Sequence, residues 1–406
     1  MESLTEDAAL ADAADPLAHA RARFALPPGV IYLDGNSLGP LPAALPGMMA
    51  GVVAQQWGEG LIRSWNDAGW IDLPVRLGAA IAPIVGAEPA AVVACDSVSV
   101  NLFKLASAAL AMRPGRRTIL MEADDFPTDA HVMQGLASLA GVTVKRVPRD
   151  GLLAALDGDV ALLLLCHVHY VTGAVHDMAA MSAAARAVGA LSLWDVSHAA
   201  GAIVVRLDAD GADFAVGCGY KYLNGGPGAP AFAYLARRHW DVARPALVGW
   251  MGDARPFDFA PDHVPAAGAR RLLAGTPPIL AMQALAAGVE TFAGIDMALA
   301  EAKSRALVAR FAALAAPLPG VRVEMPPAGR HGAHLIVRHP EARRVMAALI
   351  ARGVIGDMRP PDAMRFGFPA LTTRFAEVDA AVAALAAVLA SGEWRDDRFA
   401  PRGMVS

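Results

Sequence analysis

Only three cysteines, Cys95, Cys166 and Cys218, occur in this 406-residue chain; they lie far apart and form no CxxC pair. That scarcity argues against a disulfide framework and a cysteine-based zinc site, and makes a reducing cytoplasm the simplest compartment. No stretch is long and apolar enough to span a bilayer, so a membrane location is not expected. The opening residues, Met1-Glu2-Ser3-Leu4-Thr5-Glu6-Asp7, are acidic and lack the basic region and apolar run of a secretory leader. Lys and Arg are scattered and the formal net charge is −4. The basic stripe that a phosphate backbone requires is therefore missing, and nucleic acid is not an expected partner. Neither an internal repeat nor a low-complexity tract beyond alanine enrichment is found.

What is present is a globular composition, 55% hydrophobic and 18% charged, whose abundant alanine suits packed helices. A chain of this length exceeds the size at which one core stops growing, which predicts a large domain and a smaller one. The chain up to Pro27 reads as an Ala-rich helical lead-in, followed by a strand-like run from Val30 to Leu33 and a loop from Asp34 to Pro40. Short apolar runs at Thr118 to Met121, Val160 to Cys166, Ala190 to Trp194 and Phe214 to Cys218 then alternate with helical stretches. Such alternation predicts βα units around a mainly parallel sheet.

Ligands of such sheets bind beyond the carboxyl ends of the strands. Phe126-Pro127-Thr128-Asp129, His167 to Gly173, Asp195 and Tyr220-Lys221 follow the four runs in turn. From about Ala284 the pattern changes to a long helical stretch over Leu285 to Ala313. Strands near Val321 to Glu324 and His334 to Val337 come next, and a last helix covers roughly Glu377 to Ala390. The predicted organisation is an N-terminal arm over 1–50 that packs with the small domain, a large domain over 51–283 and a small α/β domain over 284–406.

Lys221 lies in the apolar and aromatic segment Gly217-Cys218-Gly219-Tyr220-Lys221-Tyr222-Leu223-Asn224-Gly225-Gly226. Burial disfavours an ammonium and frees a nucleophilic amine; the other reading is a lysine that snorkels to the surface. Asp195, one βα unit earlier, can keep a pyridinium nitrogen protonated and so make the ring an electron sink, although alone it also reads as a cap or loop residue. Together the two point to pyridoxal phosphate held as a Schiff base on Lys221. Asp96-Ser97-Val98-Ser99-Val100-Asn101 opens a helix, with Ser97 or Ser99 as its N-cap, and offers N–H groups and hydroxyls to a phosphate. Phe126 suits stacking on the pyridine face or core packing. Asp129 suits a second acid near the cofactor or the N-cap of the next helix, and His198 a ring contact or a structural hydrogen bond.

Tyr32-Leu33-Asp34-Gly35-Asn36-Ser37-Leu38-Gly39, Ser64-Trp65-Asn66, Phe126-Pro127-Thr128-Asp129, Trp194-Asp195-Val196-Ser197-His198, Tyr220-Lys221-Tyr222-Leu223-Asn224-Gly225-Gly226 and Val248-Gly249-Trp250 occur in this order. In this the chain resembles the kynureninases, fold-type I enzymes related to class V aminotransferases, with motifs running from Tyr32 to Phe366. The resemblance implies the α/β fold of the PLP-dependent transferases, hydrolysis of L-kynurenine to anthranilate and L-alanine in tryptophan degradation, and a homodimer.

Roles follow from the same resemblance. Lys221 is the Schiff-base lysine and the base at Cα, Asp195 pairs with the pyridine nitrogen, and Tyr220 binds the phosphate and relays a proton to Cβ. Val98, Ser99, Phe126, Pro127, Thr128, Asp129, Thr172, His198, Trp250 and Thr276 complete the cofactor pocket, some from a neighbouring subunit. Arg365 matches the arginine that grips the substrate carboxylate as a bidentate fork, a surface ion pair being the alternative.

Ser37 and Trp65 belong to the substrate site, Trp65 otherwise being a packed aromatic. Trp65 and Thr276 follow the bacterial pattern, and an apolar Trp65 favours L-kynurenine over its 3-hydroxy relative. Pro369-Ala370-Leu371 departs from the family's proline-leucine-tyrosine run and is expected to change the lining near the carboxylate. Rival activities on this fold are a cysteine desulfurase or selenocysteine lyase, an aminotransferase, and a cofactor-binding protein without catalysis. Against the desulfurase stands the lack of any cysteine after Cys218.

Overall fold

The computed structural model describes residues 2–400. Their strands are β1 (Ile31–Tyr32), β2 (Val92–Ala94), β3 (Thr118–Glu122), β4 (Thr143–Val147), β5 (Val160–Cys166), β6 (Leu191–Asp195), β7 (Phe214–Gly217), β8 (Phe232–Leu235), β9 (Arg322–Glu324), β10 (His334–Arg338), β11 (Val354–Ile355), β12 (Asp357–Arg359) and β13 (Ala363–Gly367). Seven of them form one sheet in the order β2-β8-β7-β6-β5-β3-β4. Neighbours from β4 to β7 run parallel, and β8 runs antiparallel to both β7 and β2.

Every residue of β5 and β6 is buried, as befits strands covered by helices on both faces. Alternate side chains feed opposite cores: Leu163, Leu165 and Trp194 enter one, Leu162, Leu164 and Leu193 the other. The parallel register sets Cys166 beside Asp195 and Asp195 beside Val216. The carboxyl ends of three strands therefore deliver their following loops to one place.

A second sheet, antiparallel in the order β12-β13-β10-β9, belongs to the small domain. Phe311 packs its ring 4.8 Å from Phe366 and 5.4 Å from Phe368 in that domain's core. Helix Glu2–Ala13 lies against helix Phe375–Ser391. Ion pairs of 2.7 Å from Arg21 to Glu377 and from Lys303 to Asp15 fasten the N-terminal segment there, and β1 pairs in parallel with β11.

The single helix expected from Leu285 to Ala313 is two helices, Ile279–Glu290 and Met297–Ala315. Gly294 at φ 70° turns the chain, and Asp296 caps the second helix by accepting from the Ala298 N–H at 2.8 Å. Met282, Leu285 and Val289 join the core of the large domain, whereas Leu307, Val308 and Phe311 join that of the small one. The chain thus passes from one core to the other between the two helices. Residues 401–406 of the expected small domain lie outside the described residues. No single helix among the described residues is long and apolar enough to cross a membrane.

Candidate active site

The chain has four lysines, Lys104, Lys145, Lys221 and Lys303. Lys104 is held by Asp96 and by the Leu272 carbonyl at 2.6 Å, and Lys303 by Asp15 at 2.7 Å. Lys221 is 9% exposed, and among the described residues no carboxylate lies within ion-pair reach of it. Its Nζ sits 3.4 Å from His198 Nε2 and 5.7 Å from the centre of the Phe126 ring. An inward-facing amine of this kind is not a snorkelling surface lysine.

The loop from Asp34 to Gly39 fixes the Lys221 backbone. Gly39 donates its N–H to the Tyr220 carbonyl at 2.8 Å, and a Cβ at Gly39 would lie 2.4 Å from the Lys221 carbonyl oxygen. Only glycine allows that approach. On the other flank of the loop, Asn36 is buried against Gly367 of β13, where a Cβ would meet Asn36 Oδ1 at 1.8 Å. The motif is a wedge between the lysine loop and the small domain.

Beneath the lysine lies a group of carboxylates. Asp195 Oδ1 accepts from the Ser197 N–H at 2.7 Å, and Ser197 Oγ accepts from the Cys218 N–H at 3.1 Å. Asp129 is not an N-cap: helix Pro127–Ala140 is capped by Phe126, and Asp129 in its first turn points inward and is 1% exposed. The acceptor atoms of Asp129, Cys166 and Asp195 all lie within 4.8 Å of one another. Cys166 Sγ donates to Asp129 Oδ2 at 3.6 Å, and the Cys166 N–H donates to Asp125 Oδ2 at 3.0 Å.

Burial, then the charge of Asp195, pushes the Asp129 carboxyl well above its usual range, while burial pushes Asp125 up to about 7. Asp129 Oδ1 and Asp125 Oδ1 are buried without a partner. A protonated ring nitrogen supplies what this site lacks, a cationic N–H donor, so the residues fit the pyridinium of pyridoxal phosphate. Burial also pushes the Cys166 thiol up, which suits a hydrogen-bond donor better than a metal ligand. His198 is pushed well below its usual value by burial and then by Lys221, so its ring is neutral.

Helix Val98–Met112 begins at Ser97, whose Oγ accepts from the Val100 N–H at 3.4 Å. Val98 and Ser99 stand in its first turn. A cavity of about 470 Å³ at this end is lined by Asp96, Ser97, Tyr220 and Thr276. Free N–H groups of a helix start, together with hydroxyls, make a phosphate seat. The Tyr220 ring centre is 5.9 Å from Lys221 Nζ, and burial pushes its phenol up, so it stays a hydrogen-bond donor.

Thr172 is placed differently from expectation. Its Oγ1 is 3.1 Å from His169 Nδ1, and it lines a separate cavity with Glu122 and Asp124. The residue of the β5 end that reaches Asp129 and Asp195 is Cys166, the last of the strand. Trp65 packs edge-on against Trp70 at 6.0 Å, and Trp250 against Phe257 at 5.9 Å. Neither has a ring contact or hydrogen bond with Lys221, Asp195 or His198 among the described residues of one chain.

Arg365 is 1% exposed, which removes the surface ion pair as its role. Its Nε and Nη2 donate to the two oxygens of Asp357 at 2.9 and 2.5 Å, Nη2 also to Ser37 Oγ at 2.8 Å, and Nη1 to the Tyr170 carbonyl at 2.5 Å. Ser37 in turn donates to Asp357 Oδ2 at 2.6 Å. Arg359 Nη2 reaches the same Asp357 oxygen at 2.6 Å and Ser37 Oγ at 3.3 Å. Burial alone would raise the Asp357 carboxyl, but Arg365 and Arg359 hold it below its usual value. The Tyr170 ring meets Phe126 edge-on at 5.3 Å, which links this cluster to Lys221.

Sequence reading passed over Cys166, Tyr170, Asp357 and Arg359. One signal for the last two was the alternation of Asp357 and Arg359, which puts both charges on one face of a short strand. Pro369 packs on Gly35 of the loop that carries Ser37, where a Cβ on the glycine would stand 2.3 Å from the proline Cγ, while Ala370 is buried with Leu17 and Ala300 and Leu371 joins the large core.

Residues 300–385 match the kynureninase C-terminal domain. A kynureninase of Deinococcus radiodurans is 48% identical over 388 residues, covering 93% of this chain and 94% of its own length. One of Pseudomonas fluorescens is 44% identical over 406 residues, with coverage of 97% and 98%. In fold the chain is similar to the apo cysteine desulfurase of Thermococcus onnurineus NA1, with a TM-score of 0.79 at 20% identity over 92% of this chain and 98% of that one. A cysteine desulfurase of Escherichia coli gives a TM-score of 0.76, also at 20% identity, with the same coverage of 92% and 98%. Those likenesses establish the fold-type I architecture. Near-half identity over almost the full length establishes more: this chain belongs to the kynureninase family.

Proposed function

We infer that this protein hydrolyses L-kynurenine to anthranilate and L-alanine with pyridoxal phosphate as cofactor, in tryptophan degradation. The observation that carries this reading is the buried Lys221 amine, free of any carboxylate partner, set among Asp195, Asp129 and His198 in a chain of this family. Pyridoxal phosphate supplies an aldehyde that captures amines and a protonated ring that accepts the electrons of a carbanion.

The chain's residues do the rest. Lys221 Nζ anchors the cofactor and then moves the proton at the substrate Cα. Asp195, backed by Asp129, keeps the ring nitrogen protonated. The first-turn N–H groups of Val98 and Ser99 seat the phosphate, and Pro127 and Thr128 hold Phe126 over one face of the ring with neutral His198 nearby. Tyr220, protonated at neutral pH, binds the phosphate and delivers a proton to Cβ. Arg365, through the Nη1 proton not bonded to the Tyr170 carbonyl, orients the α-carboxylate, and Ser37 helps to fix its guanidinium there. One water adds across the Cβ–Cγ bond, its oxygen ending in anthranilate and a proton on Cβ of alanine.

A homodimer accounts for Trp65 and Trp250 as contributions to a neighbour's site, whereas Thr276 lines the cavity beside Ser97 and Tyr220 of its own chain. In support, Trp57, Leu61, Ile62, Phe257, Phe259 and Val264 leave apolar surface exposed on the single chain. Trp65 is bulky and offers no hydrogen-bond acceptor to a ring hydroxyl, which favours L-kynurenine. Three free, buried cysteines support a reducing compartment such as the cytoplasm.

The test is to mix purified protein, pyridoxal phosphate and L-kynurenine and follow anthranilate fluorescence, with a Lys221→Ala control. Anthranilate and alanine formed without any 2-oxo acid, and lost in the control, are the expected result. Turnover that depends on an added 2-oxo acid would overturn the hydrolase reading in favour of transamination.

A further inference from the structure

We propose that Arg359 is a second guanidinium of the substrate-carboxylate subsite, and that it, together with Arg365, makes the site selective for amines that carry an α-carboxylate. The proposal rests on the kynurenine reading above and extends it to a residue that the family motifs do not single out.

A guanidinium has five N–H groups. Arg365 has committed four of them: Nε and one Nη2 proton to Asp357, the other Nη2 proton to Ser37, and one Nη1 proton to the Tyr170 carbonyl. The side-on fork of Arg365 is therefore closed on an internal carboxylate. Ser37 is equally occupied, because its hydroxyl donates to Asp357 and accepts from both arginines. Arg359 has committed only its two Nη2 protons. Its Nε is buried without a partner, its Nη1 has none among the described residues, and its side chain is still 35% exposed. A buried N–H without an acceptor is costly, so the Arg359 head is held in a pose that a further acceptor would complete.

Charge gives the same answer. Two guanidinium groups converge on one carboxylate, Asp357, leaving an excess of one positive charge where three side chains meet. Asp34, the other acid of the cluster, is pushed up to about 7 by burial and then by Asp357, so at neutral pH it does not fully cancel that charge. A ligand with a single carboxylate does, and charge-assisted contacts to arginine are the strong kind. Position agrees as well: Arg365 holds the Tyr170 carbonyl, the Tyr170 ring lies on Phe126, and Phe126 lies on Lys221. Both guanidinium groups are close enough to act on the Tyr170 phenol.

The experiment uses the pyridoxal-phosphate-loaded enzyme and the variants Arg359→Gln and Arg359→Lys. KM and kcat are measured for L-kynurenine, and inhibition or binding constants for L-alanine and for kynuramine, the same aryl ketone amine without a carboxylate. Arg359→Gln is expected to raise KM and to weaken L-alanine by about ten- to hundredfold, with kcat falling far less and kynuramine affinity unmoved. Arg359→Lys, which keeps the charge, should recover part of the loss. Equal weakening of both ligand types, or no change in either, would overturn the proposal and leave Arg359 as a brace for Asp357. Should the Gln variant not fold, the Lys variant alone must show the same split between the two ligands. Failure of the wild type to release anthranilate would sink the kynurenine reading itself, while the comparison of L-alanine with kynuramine binding would still decide the subsite.

Discussion

The backbones of Gly39 and Lys221 are in direct contact, so close that a Cβ on the glycine would stand 2.4 Å from the lysine carbonyl oxygen. Gly39→Ala must push the lysine loop or the wedge away. Overpacking of this kind costs about 1–3 kcal/mol, and a shift of the reacting amine by a fraction of an ångström should lower kcat/KM by at least about tenfold. Thermal melts and steady-state kinetics on one preparation check both. Unaltered kinetics would show that the wedge does not set the lysine's position.

Asp195 and Asp129 should separate under substitution. Asp195→Asn removes the carboxylate at the end of β6 and is expected to lower kcat by about a hundredfold or more and to weaken retention of pyridoxal phosphate. Asp129→Asn, which removes a carboxyl already pushed upward by burial and by Asp195, should cost markedly less. Cofactor titrations beside turnover rates test the ranking, and equal losses would contradict it.

Two buried acids near the site should respond to pH with opposite signs. Asp125 is raised from 3.8 to about 7 on folding. Its stabilising contribution is therefore complete below 3.8 and is lost as pH rises through about 7. Asp125→Asn should stabilise the protein by about 1–3 kcal/mol at pH ~8, an advantage that disappears toward pH ~4.

Glu122 is the opposite case. Burial would raise it, but His176 at 2.6 Å and Arg149 at 2.8 Å bring it down from 4.5 to about 2. Its contribution is present above 4.5 and lost as pH falls through about 2. Glu122→Gln should cost about 3 kcal/mol at neutral pH, with the gap closing in acid. Denaturant melts across pH decide both cases, and a pH-independent gap would contradict the linkage.

Arg365→Lys keeps a charge but cannot keep the planar fork on Asp357. The expected result is a KM for L-kynurenine raised by about a hundredfold, together with some loss of stability, because Asp357 and the Tyr170 carbonyl each lose a partner. Kinetics and melting temperature measured together check this, and an unaffected KM would remove Arg365 from the substrate site.

Much of the candidate site around Lys221 was legible because its residues sit at strand ends. Asp195, Tyr220-Lys221 and Phe126 to Asp129 each follow an apolar run, and the rule that ligands bind beyond the carboxyl ends of parallel strands collects them. Strands β2, β4 and β8 escaped notice, β4 because its alternating, half-exposed Thr143-Val144-Lys145-Arg146-Val147 looks unlike a core strand. The interruption after Glu290 was hidden by apolar residues that continue the helical pattern on both sides, although each helix faces a different core. Thr172 and Cys166 both follow or end β5, and only the side-by-side register with Asp195 tells which of them reaches the carboxylates. The partnership of Ser37, Asp357 and Arg359 joins opposite ends of the chain, a relation that no local pattern encodes.

Ser37 and Asp357 are separated by 320 positions yet share a 2.6 Å hydrogen bond. During synthesis at about 5–20 residues per second, the loop that carries Ser37 leaves the ribosome roughly 15–60 s before its partner does. From the synthesis of Lys221 until that of Asp357 the wedge has one of its two walls: the lysine loop can form, but Asp357 and Gly367 do not yet exist to hold the other side. A nascent or prematurely terminated chain can therefore contain every strand of the large sheet and still lack the cluster of Ser37, Asp357 and Arg365. The second wall arrives only with β12 and β13.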